Sequence, residues 1–152
     1  MQIWLIGTID TETNKLRLDV INERNSENLK TFVYNHIEPG TLLIHDGWRG
    51  YSFLEEEDSV YQHEEYNHGH GNFGLGSHST SNIERCWNWI KAEIKFLYRI
   101  IPHEHYIYFI RECEYRFNIS SMTNMQKEKH FLKILKYVYK LNNFDFYDEE
   151  EL

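Results

Sequence analysis

The sequence predicts a mixed α/β domain, a sheet layered against helices rather than a regular βαβ alternation. Three observations predict it. Leu16, Leu18 and Val20 alternate with Arg17 and Asp19, the two-residue period of a strand. Ile83, Trp87, Ile90, Ile94 and Leu97 recur at three- to four-residue spacing, the period of a helix with one apolar face. Thr41-Leu42-Leu43-Ile44 is a short continuous apolar run, which suits a strand buried on both faces.

The elements follow in order. Residues 2–9 are apolar and partly β-branched, and the polar cluster Asp10-Thr11-Glu12-Thr13-Asn14 turns them back into the alternating segment, so the chain opens with a hairpin. Asn25 or Ser26 caps a helix whose apolar residues are Leu29, Phe32 and Val33. Glu38-Pro39-Gly40 stops it. The run Thr41–Ile44 ends at His45-Asp46-Gly47-Trp48. A short helix then carries Tyr51, Phe53 and Leu54, and Val60 to Tyr66 forms another strand. Residues 67–81 are rich in Gly, His, Ser and Asn without apolar period and read as a loop. From Asn82 the pattern is helical. Pro102 breaks the first long helix. A second runs over His103–Asn118 with Tyr106, Phe109, Ile110, Cys113 and Phe117 on one face. A third covers Gln126–Leu141 with Phe131, Ile134, Leu135 and Val138.

Composition limits the function classes. A chain of 152 residues makes one domain, hardly two. No stretch of 18 or more apolar residues occurs, so no membrane partner is expected. The start has neither a basic region nor a long apolar one, so the expectation is an intracellular protein, nuclear in a eukaryote and cytoplasmic in a bacterium. Cys86 and Cys113 cannot make a disulfide framework and are expected as free thiols. The net charge of −8 argues against a generally basic nucleic-acid coat. The charge is uneven, however. Residues 1–81 hold 5 Lys/Arg against 13 Asp/Glu, residues 82–141 hold 11 against 6, and residues 142–152 hold 5 acids and no base. The domain is therefore placed at 1–141, with 142–152 a solvated acidic tail.

The chemistry is expected around two carboxylates. Asp46 directly follows the run Thr41–Ile44, which places it at the C-terminal edge of a sheet, where open α/β sheets bind ligands. Glu84 lies in the first turn of the long helix, where the helix dipole favours an ionised acid. Two hard carboxylates suit Mg²⁺ (or Mn²⁺) that keeps several waters and takes substrate phosphate. Two such ions can activate an attacking oxygen and steady a leaving one in phosphodiester chemistry. Lys91 follows Glu84 by seven residues, two helical turns, and Lys95 and Arg99 continue that line. A cationic stripe of this kind holds a phosphate backbone; the plainer reading is a solvated helix face. Arg49, close after Asp46, braces that loop or reaches phosphate. Trp89 lies off the apolar stripe and is the ring available to stack on a base. His63, His68, His70 and His78 have spacing seen in metal sites, but no Cys-x-x-Cys accompanies them and a site-shaping or surface role is preferred.

Five segments carry a family resemblance. Gly7-Thr8-Ile9-Asp10, Glu38-Pro39-Gly40-Thr41, His45-Asp46-Gly47-Trp48-Arg49-Gly50-Tyr51, Asn67-His68 and Asn82-Ile83-Glu84-Arg85-Cys86-Trp87 occur in order. Together they resemble the DDE-type transposase domain of Merlin-type DNA transposons and related bacterial insertion sequences, over about residues 3–118. The resemblance implies an RNase H-like mixed sheet flanked by helices. By position it makes Asp46 the second metal-binding acid, Glu84 the third, and Lys91 the basic residue that follows it. The implied activity is metal-dependent DNA cleavage and strand transfer at transposon ends.

The sequence departs from that family at the front. The family's first acid sits on a strand upstream of the one matching Ile3–Ile9, and that strand is central in an RNase H-like sheet. Asp10, the early candidate for the first acid, reads as a turn former. The expectation is a core lacking its first strand, with a gap of about 9–10 Å or a direct pairing of two other strands. Such a core is not autonomously active. A homodimer, or a partner supplying the strand, would complete it. The alternative is a domesticated DNA-binding or protein-interaction module that has lost catalysis.

Overall fold

The computed structural model describes residues 3–66, 80–97 and 102–141. The chain forms two compact units, Met1–Phe117 and Asn118–Leu152. The acidic tail expected over 142–152 lies outside the described residues.

In the first unit, β1 (Trp4–Asp10) and β2 (Lys15–Ile21) form the expected antiparallel hairpin, with Gly7 opposite Leu18. Asp10 makes its turn. Its carboxylate accepts the N–H groups of Glu12 and Thr13 and the Thr13 hydroxyl. These bonds, the Thr13 hydroxyl first, hold the Asp10 carboxyl below its usual range. The outer edge of β2 is closed by side chains rather than by a strand. The Leu18 N–H donates to Glu114 at 2.8 Å, and Arg111 donates to the Leu18 carbonyl. Arg17 and Arg111 flank the same carboxylate at 2.9 and 3.2 Å.

Helix α1 (Ser26–His36) starts where Asn25 accepts the Asn28 N–H at 2.9 Å, and it buries Leu29, Phe32 and Val33 as its period requires. Gly40 turns the chain at φ +87°. β3 (Leu42–His45) then pairs in parallel with β4 (Gln62–Glu65). Between them lies a 3-10 helix, Arg49–Glu55, which buries Phe53 and Leu54. Helices α2 (Ser81–Leu97) and α3 (Tyr106–Asn118) complete the unit.

Two cores result. The first gathers Leu16 and Leu18 of β2, Cys86 and Ile90 of α2, and Phe109, Ile110 and Cys113 of α3, with Leu5 and Ile9 of β1 against it. The second gathers the apolar face of α1 with Phe53, Leu54 and Tyr61, and Ile6 of β1 and Leu43 of β3 pack against it. β1 therefore sends alternate side chains into different cores, as a strand buried on two faces does.

Two expectations need correction. The run around Leu42–Ile44 is half-buried rather than buried on both faces, because only Leu43 reaches a core. The strands also do not join in one mixed sheet. Among the described residues they form two sheets, β1–β2 and β3–β4. Direct pairing of β1 with β3 does not occur there.

The second unit holds α4 (Asn124–Leu141). It starts at Thr123, whose hydroxyl accepts the Gln126 N–H while the Gln126 side chain accepts the Thr123 N–H at 2.8 Å, a reciprocal cap. No residue of α4 is buried; Phe131, Ile134 and Val138 are exposed.

Candidate functional site

The turn after β3 is tightly specified. His45, the last residue of the strand, is buried, and its ring stacks on Tyr51 at 4.3 Å. Its Nδ1 accepts the Gly47 N–H at 3.1 Å, so Nε2 carries the ring proton and donates it to Nδ1 of His63, 3.2 Å away. Burial, then the neighbouring His63, lowers the His45 pKa below its ordinary value. Asp46 is exposed, and its Oδ1 accepts the Trp48 N–H at 3.1 Å.

The spacing of the motif now has physical reasons. Gly47 stands at φ +73°, and a Cβ there would fall 2.3 Å from the Glu65 carboxylate. A Cβ at Gly50 would fall 1.9 Å from the Trp48 ring. That ring packs against the second core and is covered by the Arg24 guanidinium, 4.4 Å from its centroid. The Ser26 hydroxyl donates to the Gly50 carbonyl and ties the turn to α1. Tyr51 stacks on His45 and meets the Trp48 ring edge-on; burial, with the Asp46 charge adding to it, raises its phenol pKa. Arg49 is exposed at the start of the 3-10 helix.

Glu84 is held differently. The Thr80 hydroxyl donates to its Oε1 at 2.9 Å, and the Glu84 N–H donates to the Thr80 carbonyl at 3.0 Å. Cys86 and Ile90 turn inward, and Glu84, Asn88, Lys91 and Lys95 share the exposed face, as their spacing requires. Burial raises the Cys86 thiol pKa, which removes any nucleophilic use of it at neutral pH. Trp89 packs against the first core and meets the edge of Phe117, ring centroids 5.8 Å apart. Arg99, His68, His70 and His78 lie outside the described residues.

The Asp46 turn is thus built on the second core, and the helix bearing Glu84 on the first. Among the described residues no three His, Cys, Asp or Glu side chains come together as a metal-holding set. The sequence reading missed His45 as the organiser of the Asp46 turn. Its only signal is position, one residue before the acid and in the strand's period. Thr80, four residues before Glu84, was missed likewise.

Comparison with known proteins places the chain. Residues 3–118, which contain both the Asp46 turn and the Glu84 helix, match the ISXO2-like transposase domain. A protein of Haemophilus influenzae described as an uncharacterized transposase-like protein is 27% identical over 103 residues, covering 68% of this chain and 80% of the relative. The chain belongs to the ISXO2-like transposase domain family.

Proposed function

We propose that this chain carries the catalytic core of a DDE-type DNA transposase, related to the Merlin type, with an RNase H-like arrangement. The observation that carries the reading is the Asp46 turn. An exposed carboxylate is fixed at the C-terminal end of a strand by a buried histidine, a left-handed glycine and a main-chain N–H. That amount of local structure around one surface acid exceeds what a solvated loop needs.

Mg²⁺ or Mn²⁺ suits this donor set in kind. Asp46 and Glu84 supply hard oxygens, and Mg²⁺ takes one or two carboxylates and completes its shell with water and phosphate. Bound there, the ion would polarise a phosphodiester and lower the pKa of an attacking water. The protein's own part is to place and charge the site. His45, stacked on Tyr51, holds the Gly47 turn beside Asp46, and Thr80 orients Glu84. Arg49, Lys91, Lys95 and Arg99 take the phosphate backbone of a transposon end. Trp89 stacks a base only on the side turned away from Phe117.

Asp46 and Glu84 predict divalent-metal binding that needs both carboxylates. The test is Mn²⁺ binding to the purified chain, read by electron paramagnetic resonance, beside plasmid nicking in Mg²⁺ or Mn²⁺. Mn²⁺ binding lost in both Asp46→Asn and Glu84→Gln is expected. Binding unaffected by either change removes the shared site, and strong nicking lost in Asp46→Ala shows a complete enzyme. A second reading is favoured by the net charge of −8: a domesticated module that binds DNA or protein without catalysis. Salt-dependent DNA binding that ignores Asp46→Asn and the metal supports it.

A further inference from the structure

Residues 1–81 carry 5 Lys and Arg against 13 acids, so each cation there has several acids that could pair with it. Arg17 pairs with Glu114 and Lys30 with Glu56, and Lys15 is engaged as well. Arg24 and Arg49 are the two that form no ion pair among the described residues. Both stand at the Asp46 turn. Arg49 follows Trp48 directly, and Arg24 comes to the Trp48 ring from the connection between β2 and α1. Trp48 then joins Arg24 to Asp46. Its N–H donates to the Asp46 carboxylate at 3.1 Å, and its ring lies under the Arg24 guanidinium, 4.4 Å from the centroid. The ring is held on other sides too. Tyr51 meets it edge-on at 6.2 Å, and Gly50 is so close that a Cβ there would fall 1.9 Å from it. The two charges reach a common neighbour. Burial raises the Tyr51 phenol pKa, the Asp46 charge adds to the rise, and the Arg24 charge opposes it. Arg24 and Asp46 are both exposed.

The geometry points to Arg24 as a DNA-binding residue: docked on Trp48, its guanidinium takes a backbone phosphate next to the one engaged at Asp46, an assignment that rests on the transposase reading above. A guanidinium offers forked N–H donors that match a phosphate. Its place over the indole restricts it before DNA arrives, so less freedom is lost when a phosphate binds. The surroundings require such a cation. Glu65, Asp46 and Glu55 all lie within electrostatic reach of His45, so the turn by itself repels a polyanion. Arg24 and Arg49 offset that field where the phosphate backbone must come close. Trp48 is thereby a shelf for Arg24 rather than a ring for stacking on bases, since one face carries the guanidinium and the ring also packs against the second core.

The test is fluorescence anisotropy of a labelled DNA duplex of about 20 base pairs and mixed sequence with the full chain, over a series of KCl concentrations. Arg24 is exposed and outside both cores, so Arg24→Gln leaves the fold intact. It is expected to weaken binding about fivefold at low salt and to reduce the slope of log affinity against log salt by about 0.9, the loss of one phosphate contact. Lys30→Gln removes the same charge from a residue that already has Glu56, and is expected to change neither. By NMR, the Arg24 Nε–H signal is expected to move when the duplex is added, and that of Arg17 to stay. An unchanged slope in Arg24→Gln overturns the role of Arg24. So does an equal loss in Lys30→Gln, which assigns the effect to bulk charge, or an Arg24 signal that does not move. In those three results the unaltered chain still binds the duplex, and the transposase reading stands. A chain that binds no duplex even at low salt overturns both, so the two failures are told apart.

Discussion

Gly47 and Gly40 both stand in the left-handed region, at φ +73° and +87°, but in different surroundings. Nothing lies within 4 Å of a Cβ built at Gly40, whereas one at Gly47 meets the Glu65 side chain. Gly40→Ala is expected to cost about 1–2 kcal/mol from backbone conformation alone. Gly47→Ala is expected to cost the same and also to push Glu65 aside. Thermal unfolding of both reads the backbone cost. Faster amide exchange at Trp48 in Gly47→Ala alone reads the loosening of the Asp46 turn. The buried thiols give a pH prediction. Burial, with Glu93 and Glu112 adding to it, pushes Cys113 up to about 12, from 9.0. A folded-state pKa raised above the unfolded one contributes stability that is complete below pH 9 and is lost as pH rises toward 12. Cys86 shifts in the same direction. The expected outcome is a melting temperature that falls above pH 9, and thiols that a disulfide reagent reaches only after unfolding.

At the scale of the element, α1 is specified almost wholly by local chemistry. Asn25→Ala removes the acceptor of the Asn28 N–H and is expected to cost about 1 kcal/mol, or about 2–4 °C in melting temperature, while Asn25→Asp restores it. The hairpin, α1, α2 and α3 were legible for the same reason. Their signals are a turn former, a cap and an apolar period, each carried by residues close in sequence. Leu42–Ile44 was misjudged because continuous apolarity reports suitability for burial. Whether a neighbour covers the strand is decided by distant parts of the chain. The Asp46 turn was found by its motif, but its cause was not. His45 holds Gly47 through a ring nitrogen whose tautomer depends on His63, eighteen residues away. The sequence holds nine histidines and gives no sign of which two meet.

For the whole molecule, every buried residue among those described lies at or before Cys113. A fragment ending at Asn118 is therefore expected to unfold cooperatively by circular dichroism, within a few degrees of the full chain. A molten baseline in that fragment counts against the boundary at Phe117. The closed edge of β2 carries one last consequence. An unpaired strand edge is a template on which another molecule can add its own strand and so polymerise. Here Glu114 and Arg111 take up the outward N–H and carbonyl of Leu18, so that side of the hairpin is stoppered against runaway addition.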